Sequence, residues 1–112
     1  MRVFVLDDEP MRITHFKELH VKDTAVALLH PFSVLEVLNT EEKFDLFRLD
    51  FNLETSINGL DIIASLIQLL DKDKYPDEII VHSLDKENGK AMCRLAKLNG
   101  LCNHVYYSPF GR

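Results

Sequence analysis

Short apolar runs rich in β-forming residues alternate with helical segments along the chain, and this alternation limits the possible folds more than any other feature. Five such runs are expected to form strands, at 2–6, 24–29, 44–50, 78–82 and 103–107. Four intervening segments carry apolar residues at helical spacing, at 11–19, 32–38, 59–71 and 87–99. Strands that are apolar almost throughout are typical of a parallel sheet covered by helices on both faces.

Strict alternation of strands and helices predicts an α/β domain with right-handed crossovers. We therefore expect a three-layer, flavodoxin-like sandwich whose five-stranded parallel sheet has the order 2-1-3-4-5. At 112 residues the chain can enclose one core but not two, so residues 1–112 are expected to form a single domain.

The last predicted strand is followed by residues 108–112 only, too few for a final helix. A flank of the sheet that a helix would normally cover is then left open. We expect this flank to bind a second copy of the chain or a partner protein.

Charge and the amino terminus exclude several classes of function. The formal net charge of -5 argues against broad binding to nucleic-acid phosphates, including DNA. The apolar run at 3–6 is cut off by Asp7, Asp8 and Glu9, so it is too short for a signal peptide or a membrane anchor. We expect a cytoplasmic protein that does not bind membranes.

Acidic side chains end two predicted strands that should be neighbours in the sheet. Asp7 and Asp8 follow the first strand, Asp50 ends the third, and His82 with Ser83 ends the fourth. Because the carboxyl ends of parallel strands meet at one edge, we expect the three carboxylates to lie close together. Like charges at such distances need a cation or a proton. One acid at a strand end is commonly just a polar loop residue, but three favour a Mg²⁺ site with open positions for phosphate oxygens.

These positions resemble the motifs of two-component receiver domains. The segment at 5–10 (VLDDEP) is similar to the acidic pair of that family, and 49–53 (LDFNL) to the motif that carries the phosphate-accepting aspartate, at Asp50. The segment at 81–83 (VHS) is similar to the motif with the hydroxyl residue, at Ser83. The resemblance extends over nearly the whole chain in the same order.

One position departs from the receiver pattern. The family has a lysine before the proline that follows the fifth strand, whereas Ser108 precedes Pro109 here. That lysine pairs with the acceptor aspartate and with the phosphoryl group, so its absence argues against an ordinary phospho-accepting response regulator.

The sequence is more similar still to the cyclic-phosphate-processing receiver domains, an atypical branch that also lacks the lysine. The matching motifs are Asp7-Asp8-Glu9-Pro10 with Arg12, Leu49-Asp50-Phe51-Asn52-Leu53, Asn58-Gly59, His82-Ser83, and Gly89 with Met92. The role proposed for that branch is metal-assisted handling of cyclic phosphates. Phe51 and Asn52 stand where the branch usually has histidine and aspartate, a loss that weakens catalysis or leaves a binding protein. Compact domains of this kind are common in phage genomes, and a phage origin fits the sequence.

In an enzyme of this type, Asp8 and Asp50 would hold Mg²⁺, and Asp7 would orient a water molecule or complete the metal's ligands. His82 would act as general acid or base because imidazole titrates near neutral pH. Arg12 would clamp a phosphate oxygen, and Ser83 would donate a further hydrogen bond. The ligand would be a phosphate-containing small molecule or an RNA end.

Each of these roles has a structural alternative. His82 could hydrogen-bond a neighbouring loop, and Arg12 could form a salt bridge or face solvent. Tyr106, Tyr107 and Phe110 are expected to pack or to form dimer contacts, the alternative being base stacking. Three functions therefore remain open: a metal-dependent phosphoesterase, a degenerate receiver that binds proteins or sequesters a ligand, and a phospho-accepting receiver.

Overall fold

The computed structural model describes residues 1–28, 34–53 and 56–109. The strands are β1 (Arg2–Leu6), β2 (Thr24–Leu28), β3 (Leu46–Asp50), β4 (Glu78–His82) and β5 (Val105–Tyr107). The helices are α1 (Pro10–Leu19), α2 (Val34–Leu38), α3 (Gly59–Leu69) and α4 (Lys86–Leu98), with a 3-10 helix at Lys72–Lys74. All strand pairs are parallel, and the order β2-β1-β3-β4-β5 confirms the predicted fold class.

Each face of the sheet buries its own apolar cluster, because successive side chains of a strand point to opposite faces. The larger cluster joins the sheet to α2, α3 and α4, and its members include Phe4, Val37, Phe47, Ile63, Ile79 and Met92. The smaller cluster joins the sheet to α1, and its members are Val3, Val5, Ile13, Phe16, Leu46 and Ile80. The helices on both faces produce the three layers expected from the sequence.

Side chains at the helix ends explain where the helices begin and end. The carboxylate of Glu9 accepts a hydrogen bond from the first turn of α1, where Pro10 occupies the first helical position. Asn58 and Asp61 form a reciprocal capping box at the start of α3. Gly100 ends α4 in the left-handed conformation, with a φ of 70°, and the next residue, Leu101, donates to the carbonyl oxygen of Ala96.

Several boundaries differ from the predicted ones by one or two residues. β3 begins at Leu46 rather than 44: Asp45 lies at a bend just before the strand, where its carbonyl oxygen accepts from the amides of both Asp77 and Glu78. The third helix ends at Leu69 rather than 71, since Leu70 is already extended, with a ψ of 133°. The predicted break at 30–31 and the start of the second helix at 32 lie outside the described residues.

The sheet is unevenly covered on the α1 face. Within the described segments, α1 packs against β1 and β2, which lie toward the edge of the sheet that is farthest from β5. Tyr106 of β5 points to this face and is 53% exposed, whereas Tyr107 points to the other face, toward α4. The predicted dimer or partner contact at this flank stays a prediction. None of the helices in residues 1–28, 34–53 and 56–109 is long and apolar enough to cross a bilayer.

Candidate metal and phosphate site

The carboxylates of Asp7, Asp8 and Asp50 meet at the carboxyl edge of the sheet. Pairing of β1 with β3 sets Leu6 beside Leu49, so the residues that follow these positions leave the sheet together. One oxygen from each of the three carboxylates lies within 4.8 Å of the others. Asp7 and Asp50 are buried, with exposures of 1% and 4%. The predicted convergence of the acids is confirmed.

Arg12, in the first turns of α1, places its guanidinium among these three acids. Its Nε atom donates to both carboxylate oxygens of Asp7, at 2.9 and 3.0 Å. Its Nη2 atom lies 3.2 Å from Asp8 Oδ1 and 3.4 Å from Asp50 Oδ2. The arginine predicted to clamp a phosphate therefore forms salt bridges within the cluster, as the structural alternative proposed.

Burial and neighbouring acids favour the protonated form of Asp50. Loss of solvent, the charge of Asp7 and a hydrogen bond with Asp8 raise the pKa of Asp50 to about 8, while Arg12 acts in the opposite direction. The Asp7 carboxylate in turn raises the pKa of Arg12. Without a metal ion, the cluster is therefore expected to satisfy its excess negative charge with Arg12 and a shared proton.

His82 uses both ring nitrogens in hydrogen bonds inside the protein. Its Nδ1 atom lies 2.9 Å from the carbonyl oxygen of Ser108, and its Nε2 atom lies 3.2 Å from Nη1 of Arg48. A guanidinium can only donate hydrogen bonds, so Nε2 of His82 is the acceptor of the contact with Arg48. The ring proton therefore lies on Nδ1, which donates a hydrogen bond to the carbonyl oxygen of Ser108. Burial lowers the pKa of His82 to about 4. These contacts match the alternative in which His82 holds a neighbouring loop, and the acid or base role stays a prediction.

Arg48, which the sequence analysis missed, is buried in the middle of β3 with an exposure of 4%. Its Nε atom donates to Nε2 of His20, whose Nδ1 atom lies 2.9 Å from Asp23. Its guanidinium also stacks over Phe16, 4.8 Å from the ring centre. A chain of polar groups thus runs beneath the sheet face from Asp23 to His82. The sequence did contain a signal for this residue. Arg48 is a positively charged side chain on the same face of a buried strand as Leu46 and Asp50.

Ser83 begins a tight turn into α4. Its hydroxyl donates to the carbonyl oxygen of Asp85 and accepts from the Asp85 amide, at 2.9 and 3.0 Å. The Tyr107 hydroxyl donates to the Ser83 carbonyl oxygen at 2.6 Å. The ring of Tyr107 approaches so closely because Gly89 has no side chain: a Cβ there would collide with it. Ser83 lies at the site as predicted, but its hydroxyl is directed to the turn.

Gly59 explains the Asn58-Gly59 motif in physical terms. A Cβ at this position would lie 2.6 Å from the carbonyl oxygen of Asp50 and 2.5 Å from the methyl group of Met92. Its amide also donates to the carbonyl oxygen of Phe51. The start of α3 is therefore pressed against the backbone that carries Asp50, which fixes the position of the acid.

A cavity of about 150 Å³ opens beside the carboxylates, lined by Asp8, Arg12, Asp50, Asn52, His82, Ser83, Leu84 and Pro109. Of the two departures from the cyclic-phosphate-processing pattern, Asn52 faces this cavity. Phe51 instead packs against the larger apolar cluster. Compared with that pattern, asparagine at 52 gives the cavity one negative charge fewer, whereas the aromatic ring at 51 contributes to the core.

Comparisons with known proteins agree with this geometry at the level of fold. No family model matches the sequence, and no curated protein matches it. A CheY-like response regulator receiver domain from Methylobacillus flagellatus superposes with a TM-score of 0.75 and 21% identity, covering 100% of this chain and 87% of its own. The response regulator TrrA from Thermotoga maritima, solved in complex with Mg²⁺-BeF, gives a TM-score of 0.65 and 20% identity, covering 97% and 87%.

A third similar structure is a longer chain, in which a yeast Spc42 trimeric coiled-coil segment is fused to another structure. It gives a TM-score of 0.67 and 13% identity over 94% of this chain, which spans 66% of the fusion. Identities of this size show the fold alone. With its sheet order and these superpositions, the chain has the fold of response-regulator receiver domains.

Proposed function

We propose that the chain is a divergent member of the cyclic-phosphate-processing receivers that binds a phosphate-containing ligand with the help of Mg²⁺. The observation that carries this proposal is the meeting of three carboxylates within 4.8 Å beside an open cavity. Carboxylate oxygens are the ligands that Mg²⁺ prefers, and the ion commonly keeps positions open for phosphate oxygens.

Asp7, Asp8 and Asp50 are the residues that would hold the ion, and their donor set fits it. The bound ion would supply positive charge to the phosphate oxygens of the ligand. The structurally similar response regulator TrrA is solved in complex with Mg²⁺-BeF, which supports the proposal of a Mg²⁺ site in this chain. Asp50 must lose its proton to bind a cation, because its pKa is raised to about 8.

The size of the cavity favours recognition of a phosphate group rather than of a whole nucleotide. Pockets that enclose drug-sized ligands are roughly 300–1,000 Å³, whereas this cavity is about 150 Å³. A cyclic phosphate or an RNA end would place its phosphate in the cavity and leave the base outside. The exposed Leu84 lies at the cavity, where an apolar contact with the ligand is available.

The contacts of His82 favour binding over turnover. Both of its ring nitrogens are engaged, by Ser108 and by Arg48, and its lowered pKa leaves no proton on Nε2 for a leaving group near neutral pH. Turnover of cyclic phosphates remains the second candidate function, because His82 lines the cavity. The first candidate function is the ligand-sequestering module, which is one of the functions that the sequence left open.

The test combines binding and turnover in one measurement. 2′,3′-cyclic AMP is added to the protein with and without Mg²⁺ and followed by ³¹P nuclear magnetic resonance. We expect Mg²⁺-dependent broadening or shift of the signal with no hydrolysis product. The Asp50→Asn variant should abolish the effect, and the Asp73→Asn variant should retain it, since Asp73 is exposed in the 3-10 helix.

Two other outcomes have definite meanings. Appearance of a 2′- or 3′-monophosphate signal, lost in His82→Ala, would replace the binding proposal with the phosphoesterase. If Mg²⁺ had no effect on the phosphate signal, both the binding proposal and the phosphoesterase would be contradicted. Treatment with acetyl phosphate followed by intact-mass measurement tests the phospho-acceptor, which predicts an adduct on Asp50 that the proposed binder lacks.

A further inference from the structure

We propose that Arg12 is an internal counter-ion that a divalent cation displaces, and that the displaced guanidinium then binds the anion in the cavity. The inference rests on the metal site of the proposed function and adds the order of binding, in which the metal precedes the anion. The anion is a phosphate group, and its binding is expected to require the metal.

Arg12 makes two sets of contacts, and the set made by its Nε atom is shorter than the set made by its Nη2 atom. The Nε atom donates to both oxygens of Asp7 at 2.9 and 3.0 Å, and Asp7 is fully buried. The Nη2 atom makes longer contacts, 3.2 Å to Asp8 and 3.4 Å to Asp50. Rotation of the guanidinium can therefore break the contacts with Asp8 and Asp50 while the contact with Asp7 persists.

Charge and geometry make the two cations compete. The oxygens that face Nη2 belong to Asp8 and Asp50, two of the three carboxylates that form the candidate metal site. Two positive charges in direct contact with the same oxygens repel each other, strongly so where burial reduces solvent screening. When a divalent cation is bound, we expect Nη2 to leave Asp8 and Asp50.

The position of Arg12 determines where its guanidinium goes. Arg12 lines the cavity together with Asn52 and Ser83, and 41% of its side chain is exposed. The guanidinium therefore has solvent-accessible space on the cavity side. Once free of the two acids, its forked donors suit the oxygens of a phosphate group.

This arrangement makes anion binding depend on the metal. In the metal-free state, the Arg12 donors are directed to carboxylates, and the cavity wall carries the Asp8 carboxylate, which repels an anion. A divalent cation neutralises the acids and frees the donors, so metal and phosphate should each increase the affinity for the other by the same factor. Couplings between sites are typically about 5–150-fold.

The test measures Mn²⁺ binding and then binding of inorganic phosphate at saturating Mn²⁺, both by calorimetry. The variants are Arg12→Ala and Arg12→Lys, and the control is Lys17→Ala, which removes an exposed positive charge from the same helix. We expect Arg12→Ala to bind Mn²⁺ more tightly, by about 5-fold or more. We expect it to bind phosphate about 10-fold more weakly than the wild type, because the forked donors are lost. Lys17→Ala should behave as the wild type.

Thermal melts separate this proposal from a purely structural salt bridge. Arg12→Ala should melt lower than the wild type in chelator but show a larger rise with Mn²⁺. If the alanine variant does not fold, Arg12→Lys keeps the charge without the fork and should lose phosphate affinity while retaining Mn²⁺ binding. Equal or weaker Mn²⁺ binding by Arg12→Ala would overturn the inference and leave the metal site standing. Absence of Mn²⁺ binding in the wild type and in every variant would overturn both the inference and the proposed metal site.

Discussion

Replacement of Asp50 by asparagine should stabilise the metal-free protein, although Asp50 lies at the centre of the proposed site. The reason is that its carboxylate is buried among Asp7 and Asp8, which raises its pKa to about 8, against about 4 in an unfolded chain. A raised carboxyl pKa means that the contribution of Asp50 to the folding free energy is most favourable below pH ~4 and becomes less favourable as the pH rises through 8.

The magnitude follows from the shift. Each pKa unit corresponds to about 1.4 kcal/mol, so ionisation of Asp50 in the fold costs on the order of 5 kcal/mol at pH 8. Loss of the contact with Arg12 and the burial of an amide offset part of that gain, and a net stabilisation of about 1–3 kcal/mol is expected. For a domain of this size, that is a rise in Tm of roughly 4–12 °C.

The assay is thermal unfolding in chelator at pH 4 and pH 8, with Asp73→Asn as the control for loss of one exposed negative charge. Asp50→Asn should melt higher than the wild type at pH 8, with a much smaller difference at pH 4, and should show no Mg²⁺-dependent rise. A lower Tm than the wild type at pH 8 would refute the electrostatic reasoning. A Mg²⁺-dependent rise equal to that of the wild type would refute the role of Asp50 as a ligand.

Three further predictions follow from the site. The Mg²⁺ affinity should increase by up to about tenfold per pH unit between pH ~6 and ~8, because the Asp50 proton must leave on binding; calorimetry in two buffers measures the proton release, and a constant affinity would contradict it. The His82 ring should stay neutral above pH ~5 in nitrogen-15 resonance spectra, and the contribution of His82 to stability should fall as the pH decreases from ~6.5 toward 4, since its folded pKa lies below its unfolded value; titration of His82 near pH 6.5 would show that its buried contacts are absent. Gly59→Ala should destabilise the fold by about 2–3 kcal/mol because its Cβ meets the Asp50 carbonyl oxygen, and urea unfolding should show a smaller loss of about 1 kcal/mol for Gly100→Ala, where only the positive φ opposes the new side chain.

The sequence was sufficient for the fold because its signals are local and agree with one another. The apolar strands, the helical spacing of segments such as 59–71 and Gly100 after α4 each specify one element. Right-handed crossovers then leave a few doubly wound strand orders, of which 2-1-3-4-5 was the one expected. Convergence of Asp7, Asp8 and Asp50 is a consequence of that order, so it was also predictable.

The contacts of individual side chains were not predictable in the same way. Arg12 was expected to face a phosphate, but in the structure it lies against Asp7, because a buried acid attracts the nearest flexible cation. His82 and Arg48 form a pair across neighbouring strands, which depends on register and rotamer rather than on spacing along the chain. The sequence pattern therefore located the site but not the internal charge balance that controls it.

The most direct test of the metal site is an anomalous difference map from crystals of the wild-type protein soaked in Mn²⁺. A peak in contact with the carboxylates of Asp7, Asp8 and Asp50, with Arg12 turned from Asp8 and Asp50 toward the cavity, is the predicted result. A well-ordered map with no peak at these acids, and Arg12 still bound to all three, would contradict the account.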